Sequence, residues 1–466
     1  MTDINEDELA SKINHSMPDG VRHIASTLLC FGENENREVN VQLVGGCIRD
    51  IAIGREPHDW DITTSMDIYE ASNVLSLCGN MRVEETGLKH GTVTSVYDDG
   101  TSYEVTEYRG TENGSERTIE TDLLHRDFTI NAIAYDLSTG DIIDPFNGLH
   151  DISMKSIRAV GDAGKRFEED ELRVLRAVRQ AATLGFSIDY GTSKAIHEHC
   201  RLIKNTAIER QASELVRLLT ADSCYLRALL LEYQDVIAAV MPEIFPCIGF
   251  QQYTKWHCYT VYRHMVEVCC GVSPDKSLRL AALLHDIGKP CSEVYKDGRQ
   301  HFYGHQIQSA RIAGEICNRL RIDKRTAETV RNLVRHHDDM TYPITEKGVR
   351  RMIARLGGRE AFNGWYEIRR ADILAHSEQA WHSESRGLEC CDAIKSLYDE
   401  MDAKGLTLNV KELEIDGNDL MGIGFEMGPA IGAELKHLLN TVIDGDIKNE
   451  HDELMNTAKD DFQKNV

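Results

Sequence analysis

The chain has 466 residues and a formal net charge of −24. This length exceeds the usual size of a single hydrophobic core, so we expect two to four domains. Its 13 cysteines include no Cys-x-x-Cys pair, which argues against a disulfide framework or a zinc knuckle and favours reduced thiols. The first residues, MTDINEDELA, are acidic and polar, and no apolar run is long enough to span a bilayer. We therefore expect no signal peptide, no membrane partner and a cytoplasmic location.

The first informative motif is VQLVGGCIRD at residues 41–50, followed by HDWDITTS at 58–65. The pattern predicts a short buried strand, a turn at two glycines, and a second strand, WDITT, on which alternate side chains share a face. Asp59 and Asp61 would then face the same way. Two such carboxylates can hold two divalent metals, typically ~3.5–4 Å apart, and Mg²⁺ is the natural occupant. The alternative is an ordinary turn and strand end.

The next segment, HGTVTSVYDDGTSYEVTEYRG at residues 90–110, has the pattern of a β-hairpin. It turns at Asp98, Asp99 and Gly100, an acidic residue and a glycine being typical of tight hairpin turns. The second strand carries Glu104, a candidate for a third metal-binding carboxylate. The alternative is that Glu104 is a solvated residue on the strand.

Two further motifs follow, HRDFTINAIAYD at 125–136 and GKRFEEDELRVLRAVRQAATLGF at 164–186. With them, the motif order GGxxRD, DxD, RDFTINAxAYD, DPFxGxxD and RFxEDxLRxLRA resembles the bacterial class II tRNA nucleotidyltransferases. These are the CCA-adding enzymes and their bacterial poly(A) polymerase relatives, and the resemblance covers essentially the whole chain. It implies an α+β protein with a polymerase-beta-like nucleotidyltransferase head on a small mixed sheet, followed by an all-α neck, an HD body and a tail.

The resemblance also implies roles for individual residues. Asp59 and Asp61 would be the catalytic, Mg²⁺-binding pair, and Glu104 from the hairpin is added to them as the candidate third catalytic carboxylate. The residues implied to bind the nucleotide are Gly45, Gly46, Arg49, Arg126, Asp127, Glu169, Asp170, Arg173 and Arg176. Within this set the glycine loop and Arg49 would hold the triphosphate, because backbone N–H groups and a forked guanidinium suit phosphate oxygens. Arg126 and Asp127 would recognise the ribose hydroxyl.

The EDxxR motif would let protein side chains replace a nucleic-acid template. Asp170 supplies an acceptor and Arg173 supplies donors, so together they can pair with the base edge of C or, after a small reorientation, of A. A good bidentate contact discriminates between bases by ~1–3 kcal/mol. Arg176 and Arg179 recur at helical spacing beyond Arg173, which favours an RNA-facing or ion-paired helix face for them over contact with the nucleotide.

Two departures from the family pattern bear on whether the enzyme adds A after C. The chain has His125 where the family usually has Arg, which weakens or moves one cationic contact. The segment at residues 110–125, GTENGSERTIETDLLH, is shorter than the flexible loop of typical CCA-adding members. In the family that loop helps the pocket to change from C to A. The resemblance therefore leaves an enzyme that adds only the two C residues as an alternative.

The distribution of charge bears on the RNA partner. Residues 1–155 hold 11 Lys and Arg against 29 Asp and Glu, whereas 156–230 hold 12 against 10 and 319–370 hold 13 against 7. Phosphate neutralisation by Lys and Arg dominates affinity for nucleic acid, so we expect tRNA along the more basic middle regions and expect no DNA partner. The chain also lacks the basic extensions that a polyadenylating enzyme would use to hold arbitrary RNA.

A second set of chemically active residues lies on apolar-periodic, helical segments beyond Tyr253. The pattern resembles the HD phosphohydrolase superfamily and the HD domain embedded in many bacterial tRNA nucleotidyltransferases. The resemblance implies a first metal at His264, His285, Asp286 and Asp372, and a second metal or a substrate phosphate at His305 and His336. Imidazoles mixed with carboxylates suit Mn²⁺, Fe²⁺, Ni²⁺ or Co²⁺. The alternative is a structural relic, and His90, His197, His199 and His257 are assigned ordinary structural roles.

These inferences give four domains: a nucleotidyltransferase head at 1–150, a helical neck with the templating motif at 151–235, an HD metal-binding domain at 245–380 and a helical tail at 385–466. The expected function is template-independent addition of C and A to the tRNA 3′ end from CTP and ATP, with release of pyrophosphate. The alternatives are a CC-adding enzyme, or mainly an HD-type phosphohydrolase whose head only binds RNA. A non-catalytic RNA-binding protein would leave two sets of metal ligands unexplained.

Overall fold

The computed structural model describes residues 4–110, 117–383, 386–407 and 409–465. They form two compact units, residues 1–214 and 215–466. The predicted α+β head with a small mixed sheet, followed by helices, is confirmed. The four-domain division stays a prediction. Among the described residues, no helix is both long and apolar enough to cross a membrane.

The first unit is built on a seven-stranded sheet with the order β3-β4-β5-β2-β1-β6-β7. Strand β2 runs parallel to β5, and the other neighbours are antiparallel. The predicted strand VQLV and the predicted hairpin are confirmed as β1 and as β4 with β5. The strands are β1 Val41–Val44, β2 Asp61–Thr64, β3 Met81–Glu84, β4 Thr92–Tyr97, β5 Ser102–Glu107, β6 Ala134–Asp136 and β7 Ile142–Ile143, and a separate parallel pair consists of β8 Ser156–Ile157 and β9 Ser187–Ile188.

Helices pack on the sheet, and after β8 the first unit is mostly helical. The four residues of β1 are all buried, as expected for a central strand. The helices are α1 Glu6–Ser16, α2 Asp19–Asn34, α3 Gly46–Ala52, α4 Ile68–Ser76, α5 Ile119–Leu124, α6 Gly148–Ser153, α7 Ala163–Glu169, α8 Leu172–Leu184, α9 Tyr190–His199 and α10 Ile208–Leu219.

The second unit is almost entirely helical, with one short hairpin formed by β10 Val294–Lys296 and β11 Arg299–His301. In α16 the buried stripe comprises Thr326, Val330, Leu333 and Val334, at the spacing of one helix face. The helices are α11 Ser223–Glu232, α12 Gln234–Val240, α13 Val261–Gly271, α14 Lys276–Leu284, α15 His305–Arg319, α16 Lys324–His336, α17 Glu346–Leu356, α18 Arg359–Leu374, α19 Glu378–Trp381, α20 Leu388–Ala403, α21 Gly417–Ile423, α22 Pro429–Asp444 and α23 His451–Asn465.

Candidate active sites

The first unit contains a cavity of about 470 Å³ whose wall collects most of the predicted nucleotide-binding residues. It opens beside the sheet and is lined from β1, β2, β5, α3 and the start of α8. The predicted residues on its wall are Gly45, Gly46, Arg49, Asp61, Glu104, Arg126, Asp127, Asp170, Arg173 and Arg176. We call it the nucleotide cavity. Two predicted residues, Asp59 and Glu169, are not part of its wall.

The glycine turn brings the backbone close to two charged side chains. Gly45 has φ +85°, a left-handed conformation that favours glycine, and α3 begins at the next residue. A Cβ atom on Gly45 would lie 2.8 Å from the guanidinium of Arg126 and 3.3 Å from the carboxylate of Asp61. Only glycine therefore allows this turn to pass so close to both. Arg49 lies one helical turn further on and donates hydrogen bonds to Asp50 at 2.7 Å and to Asn131 at 2.6 Å.

Two carboxylates on neighbouring parallel strands face the nucleotide cavity. Asp61 begins β2, and Glu104 lies on β5. Burial raises the pKa of Asp61 above its usual value, and the charge of Asp59 raises it further, although Arg126 opposes both effects. Burial likewise raises the pKa of Glu104, followed by the charges of Asp61 and Asp59. The three negative charges therefore destabilise one another, and a bound cation would relieve this repulsion.

The structure places Asp59 differently from Asp61. The sequence pattern predicted a strand that already includes Trp60, but β2 begins only at Asp61. Asp59 therefore lies in the preceding loop, where its side chain is exposed and lines a separate groove. The strand alternation that would turn both carboxylates to one face does not extend back to Asp59. Its charge nevertheless acts on both Asp61 and Glu104.

Asp127 is held in its ionised form by groups around it. Its carboxylate accepts hydrogen bonds from the N–H of Phe128 at 2.8 Å, the amide of Asn131 at 2.9 Å and the guanidinium of Arg176 at 3.3 Å. Burial alone would raise the pKa of Asp127, but Arg176 and these hydrogen bonds outweigh it and lower the pKa below its usual value. A carboxylate acceptor with a lowered pKa therefore stands at the position that the sequence assigned to ribose recognition.

The predicted templating residues are held by protein groups. Arg173 is only 9% exposed, and it donates to the carboxylate of Glu169 at 3.0 Å and to the carbonyl of His125 at 2.7 Å. Asp170 accepts a hydrogen bond from Arg210 at 2.9 Å. Glu169 thus contacts Arg173 without lining the cavity itself. These contacts fix the direction in which Arg173 presents its guanidinium.

Arg176 and Arg179 on α8 form ion pairs, as the sequence suggested. Arg179 pairs with Glu214 at 2.8 Å, and Arg176 lies 3.6 Å from the same carboxylate while it also reaches Asp127. Arg176 therefore lines the nucleotide cavity as one member of an ion-pair network.

The residues on the wall of this cavity that sequence reasoning missed include Arg109, Asp122 and Asn131. The backbone N–H of Arg109 donates to Asp122 at 3.2 Å, and burial lowers the pKa of the Arg109 guanidinium. Asp122 also faces Arg126 at 3.5 Å. Two features of the sequence could have indicated these residues. Asp122 precedes Arg126 by four residues, a spacing that lets the two side chains meet, and Asn131 lies inside the RDFTIN motif.

The structure describes only part of the segment at residues 110–125, which differs from the family pattern. The ring of His125 lies 3.0 Å from the carbonyl of Gly110 through Nε2, so His125 closes the base of this segment. Residues 111–116 lie outside the described residues. The prediction drawn from the length of the segment at 110–125 therefore stays a prediction.

The second unit contains a cavity of about 860 Å³ with a cluster of imidazoles and carboxylates at its base. We call this group the HD cluster. Nε2 of His264 lies 3.0 Å from Asp372 and 3.4 Å from Asp286, and Nε2 of His285 lies 3.3 Å from Asp286. These four side chains are at most 3% exposed. The structure thus brings together the four residues predicted to hold the first metal.

The backbone orients the imidazoles of the HD cluster. Nδ1 of His285 lies 2.7 Å from the carbonyl of Ala282, and Nδ1 of His337 lies 2.8 Å from that of Val334. A carbonyl oxygen only accepts, so each Nδ1 must donate its proton. In the neutral ring this leaves a lone pair on Nε2, which points into the cluster. This arrangement is typical of metal-binding histidines.

The structure brings His337, and not His336, to the second ligand group. Nε2 of His305 lies 3.2 Å from Oδ1 of Asp286, and Nε2 of His337 lies 3.7 Å from the same atom. His336 instead contacts Asp339 through Nδ1 at 2.9 Å. The apolar stripe of α16 continues from Leu333 and Val334 to position 337 at helical spacing, which was the signal that distinguishes the two histidines.

Two further histidines join the cavity. His376 forms a third ligand group with His264 and Asp372, and His257, assigned an ordinary structural role from the sequence, lies 3.1 Å from both His376 and Lys289. Burial is the main reason why the pKa of His376 is lowered to about 4. His376 follows Asp372 by four residues, a spacing that puts both on one face of a helix.

The donor set of the HD cluster fits a metal ion. Oδ1 of Asp286 is buried and accepts no hydrogen bond. Burial would raise the pKa of Asp286, yet Lys289 and His285 hold it well below its usual value, so the carboxylate is charged. Burial, and then the charge of His285, lowers the pKa of His337 to about 4, which keeps that ring neutral. Within the described part of the chain, groups of three ligand atoms within 4.8 Å of one another occur only here.

Three family descriptions match the chain in order. Residues 41–158 match the Poly A polymerase head domain, residues 185–248 match the probable RNA and SrmB-binding site of polymerase A, and residues 256–376 match the HD domain. The first contains the carboxylates and the glycine turn of the nucleotide cavity, and the third contains the HD cluster.

Two curated relatives are CCA-adding enzymes. The chain is 40% identical to the CCA-adding enzyme of Lactobacillus helveticus over 195 residues, which are 40% of this chain and 47% of the relative. This match thus spans about half the length of that relative. The chain is 28% identical to the CCA-adding enzyme of Limosilactobacillus fermentum over 429 residues, 89% of this chain and 91% of the relative.

Solved structures of similar fold cover nearly the whole chain. The CCA-adding enzyme of Bacillus stearothermophilus in complex with CTP matches with a TM-score of 0.65 at 23% identity, over 96% of this chain and 99% of that one. The Thermotoga maritima CCA-adding enzyme complexed with tRNA matches with a TM-score of 0.60 at 18% identity, over 99% and 100%. At such identities these likenesses establish the fold.

A head of the poly(A) polymerase type, an RNA-binding segment and an HD domain are matched in this order along the chain. The chain is similar to bacterial CCA-adding enzymes in sequence and in fold.

Proposed function

We propose that this protein adds C and A to the 3′ end of tRNA, with CTP and ATP as substrates and pyrophosphate as the product. The observation that supports this most strongly is the nucleotide cavity, because its wall combines Asp61, Glu104, the glycine turn, Asp127 and Arg173. Each group matches one part of a ribonucleoside triphosphate. The names of the relatives agree with this substrate class.

The parts of the cavity suggest how the nucleotide lies in it. The turn at Gly45 and Gly46 and the guanidinium of Arg49 would bind the triphosphate. Asp127, kept ionised by Arg176, would accept a hydrogen bond from the ribose hydroxyl. Arg173 would donate to the base edge, while Glu169 and the carbonyl of His125 hold its guanidinium in place. The contact between Asp170 and Arg210 would have to open for Asp170 to accept from a base.

The carboxylates Asp59, Asp61 and Glu104 would hold Mg²⁺, since hard oxygen ligands and substrate phosphates are its usual partners. When bound, the metal would neutralise phosphate charge and favour ionisation of the attacking hydroxyl. Burial is the main reason why the pKa values of Asp61 and Glu104 are raised, and the neighbouring carboxylates add to it, so a bound cation would relieve part of this cost. The protein's own contribution is to orient the triphosphate and the base.

A CC-adding enzyme is the alternative within the same class. It is favoured by His125 in place of the family's Arg and by the short segment at 110–125. The expectation that follows is ready addition of C and poor or absent addition of A.

A single assay tests both versions. Purified protein is incubated with tRNA ending at the discriminator base, at C or at CC, with one nucleotide at a time, and product lengths are measured. Addition of C to the first two substrates supports the proposed class. Efficient addition of A to the third supports full CCA addition and contradicts the CC-only alternative. No addition to any of them would contradict the proposed function.

We propose a second activity for the second unit, a metal-dependent hydrolysis of phosphate esters at the HD cluster. The supporting observation is the convergence of Nε2 atoms and carboxylates on one buried point, with Oδ1 of Asp286 lacking a hydrogen-bond donor. Residues His264, His285, Asp286 and Asp372 would hold the first ion, which fits Mn²⁺, Ni²⁺ or Co²⁺. A metal bound there would lower the pKa of a bound water.

The surroundings of the HD cluster suit an anionic substrate. Lys289 contacts Asp286 at 2.6 Å, and Arg299 and Arg386 line the same cavity. These cations could hold phosphate oxygens beside the cluster. Substrates of this class include 2′,3′-cyclic phosphates at damaged tRNA ends and small nucleotides.

A further inference from the structure

The cavity above the HD cluster is larger than a metal centre and a phosphate require. Its volume is about 860 Å³, whereas the ligand atoms of each group at its base lie within 4.8 Å of one another. Pockets of roughly 300–1,000 Å³ typically enclose a whole small molecule. The cavity therefore has room for the organic part of a phosphate ester as well as for its phosphate.

Aromatic rings line this cavity above the cluster. Tyr253 and Tyr303 lie on its wall and are 71% and 64% exposed. His301 stacks on Tyr303, with ring centroids 5.0 Å apart and ring planes within 9° of parallel. Proteins hold nucleobases by stacking them on exposed aromatic side chains of this kind. The wall thus offers a flat surface to a base.

The hairpin of β10 and β11 fixes these rings in position. Side chains alternate along a strand, so Arg299 and His301 share one face of β11 and Gln300 takes the other. Gln300 is 5% exposed. Its amide donates to the carbonyl of Gln251 at 3.1 Å, and its oxygen accepts from the N–H of Tyr253 at 2.6 Å. Gln300 therefore joins the hairpin to the segment that carries Tyr253, so that rings from both segments line one cavity.

The rings lie close to the proposed metal ligands. Tyr303 precedes His305 by two residues, and two residues span at most about 7 Å. Nδ1 of His305 donates to the carbonyl of Phe302 at 2.9 Å, which fixes the turn between the ring of Tyr303 and the imidazole of His305. A base on Tyr303 and a phosphate at the HD cluster can therefore belong to one nucleotide.

Cations on the same wall complement a phosphate. Lys255 and Arg299 are exposed, and in the part of the chain that the structure describes neither forms an ion pair with a carboxylate. A third cation, Arg386, lies 3.4 Å from Asp338. The other carboxylates on the wall are the proposed metal ligands, whose negative charge a bound metal would offset.

We propose that Tyr303 and His301, with Tyr253 on the neighbouring segment, bind the base of the substrate and make the second site specific for nucleoside phosphates. This rests on the proposed hydrolytic activity of the HD cluster and names the side chains that select its substrate. The phosphate lies at the cluster and the base on the rings. A free nucleotide and the terminal nucleotide of an RNA share this chemistry.

Photo-crosslinking tests the base-binding surface without any catalysis. The full-length protein, as purified, is irradiated with 8-azidoadenosine 5′-monophosphate, digested and analysed by mass spectrometry. We expect adducts on peptides that contain residues 251–257 or 299–305, and we expect excess AMP to suppress them far more than ribose 5-phosphate at the same concentration. Adducts confined to other peptides, those of the nucleotide cavity included, would overturn the proposal. Equal suppression by the two competitors would overturn it as well.

Kinetics test the contribution of Tyr303. The preference for 2′,3′-cyclic AMP over glycerol 1,2-cyclic phosphate, which has the same cyclic ester without a base, is measured as the ratio of the two kcat/KM values. Tyr303→Ala should lower this ratio about tenfold, because the stacking of a base on an aromatic ring is lost. The control is Tyr295→Ala, which removes a similarly exposed ring from the same hairpin outside the cavity wall and should keep the ratio. An unchanged ratio in Tyr303→Ala would overturn the assignment.

A further arm distinguishes the two sources of the nucleotide. The value of kcat/KM is compared for 2′,3′-cyclic AMP and for tRNA that ends in a 2′,3′-cyclic phosphate, and Tyr303→Ala should reduce it on the better of the two substrates. A loss on neither would contradict base recognition by this ring. Absence of hydrolysis by the unmodified protein with Ni²⁺, Mn²⁺ and Co²⁺ would instead contradict the proposed hydrolytic activity, and photo-crosslinking would still test the base-binding surface.

Discussion

His264 and His285 face each other inside the HD cluster with their Nε2 atoms 3.2 Å apart. Nδ1 of His285 donates to the backbone, and Nδ1 of His264 lies 3.4 Å from the carbonyl of Ala375. Two neutral rings so oriented would direct two lone pairs at each other. Either a proton or a shared cation has to lie between them, and the nearby carboxylates of Asp286 and Asp372 stabilise a positive charge at this point.

The first prediction concerns metal content. Protein purified without chelators should contain a transition metal, and the variant His337→Ala should contain less of it, because Nε2 of His337 belongs to a ligand group with Asp286. His336→Ala is the matched control, since that ring contacts Asp339 instead. Elemental analysis measures the metal content. Equal metal content in the two variants would show that His337 is not a ligand.

The second prediction concerns hydrolysis by the HD cluster. With Ni²⁺, Mn²⁺ or Co²⁺ added, the protein should hydrolyse a phosphate monoester or a 2′,3′-cyclic nucleotide. Activity should survive Asp61→Ala in the first unit and disappear when His285→Ala and Asp286→Ala are combined, because the latter removes two of the four first-metal ligands. Absence of bound metal, together with no hydrolysis under any of the three ions, would support the structural relic.

The nucleotide cavity was largely predictable because its residues lie in short motifs. Strand β1, the glycine turn and the β4–β5 hairpin have local signals, and these were sufficient to locate Gly45, Asp61 and Glu104. The position of Asp59 was not predictable, because the start of β2 depends on pairing with other strands and not on the alternation of residues 59–64 alone.

The site residues that the sequence did not predict are brought to their sites by contacts between distant parts of the chain. Arg109 and Asp122 are 13 residues apart and are joined by a hydrogen bond from the backbone N–H of Arg109 to the carboxylate of Asp122. His257 and His376 are 119 residues apart and come together through the packing of the second unit. A lone histidine in a loop has no periodic signal of such a contact. The choice between His336 and His337, in contrast, was available from the buried stripe of α16.

The third prediction concerns the carboxylates of the first unit. Asp61→Ala should abolish nucleotide addition and leave tRNA binding nearly unchanged, because charge stabilisation by the metals is worth several kcal/mol in the transition state. Rapid-quench extension and a filter-binding assay measure the two properties. Asp98→Ala removes an exposed carboxylate from the turn between β4 and β5 and should have no effect. Extension by Asp61→Ala at a near-normal rate would contradict the assigned site.

The fourth prediction is a dependence of stability on pH. The pKa of Asp127 is lowered in the folded protein, so this carboxylate stabilises the fold above its unfolded pKa of about 4, and the stabilisation is lost as pH falls through the folded pKa. Asp127→Asn should therefore lower the melting temperature clearly at pH 6–7 and much less near pH 3. Differential scanning calorimetry measures this, with Asp98→Asn as the control. A difference independent of pH would exclude the charge of Asp127 as the cause.

The last prediction concerns the choice of base. Arg173→Ala should reduce discrimination of CTP against UTP by about tenfold or more, because a base-edge contact worth ~1–3 kcal/mol is lost. The rate at saturating CTP should fall much less, since the carboxylates are untouched. Arg179→Ala is the control, because Arg179 lies on the same helix and pairs with Glu214 outside the cavity. Single-nucleotide incorporation on tRNA ending at the discriminator base gives kcat and KM for each nucleotide. Unchanged selectivity in Arg173→Ala, with intact folding by circular dichroism, would show that the base is recognised by other groups.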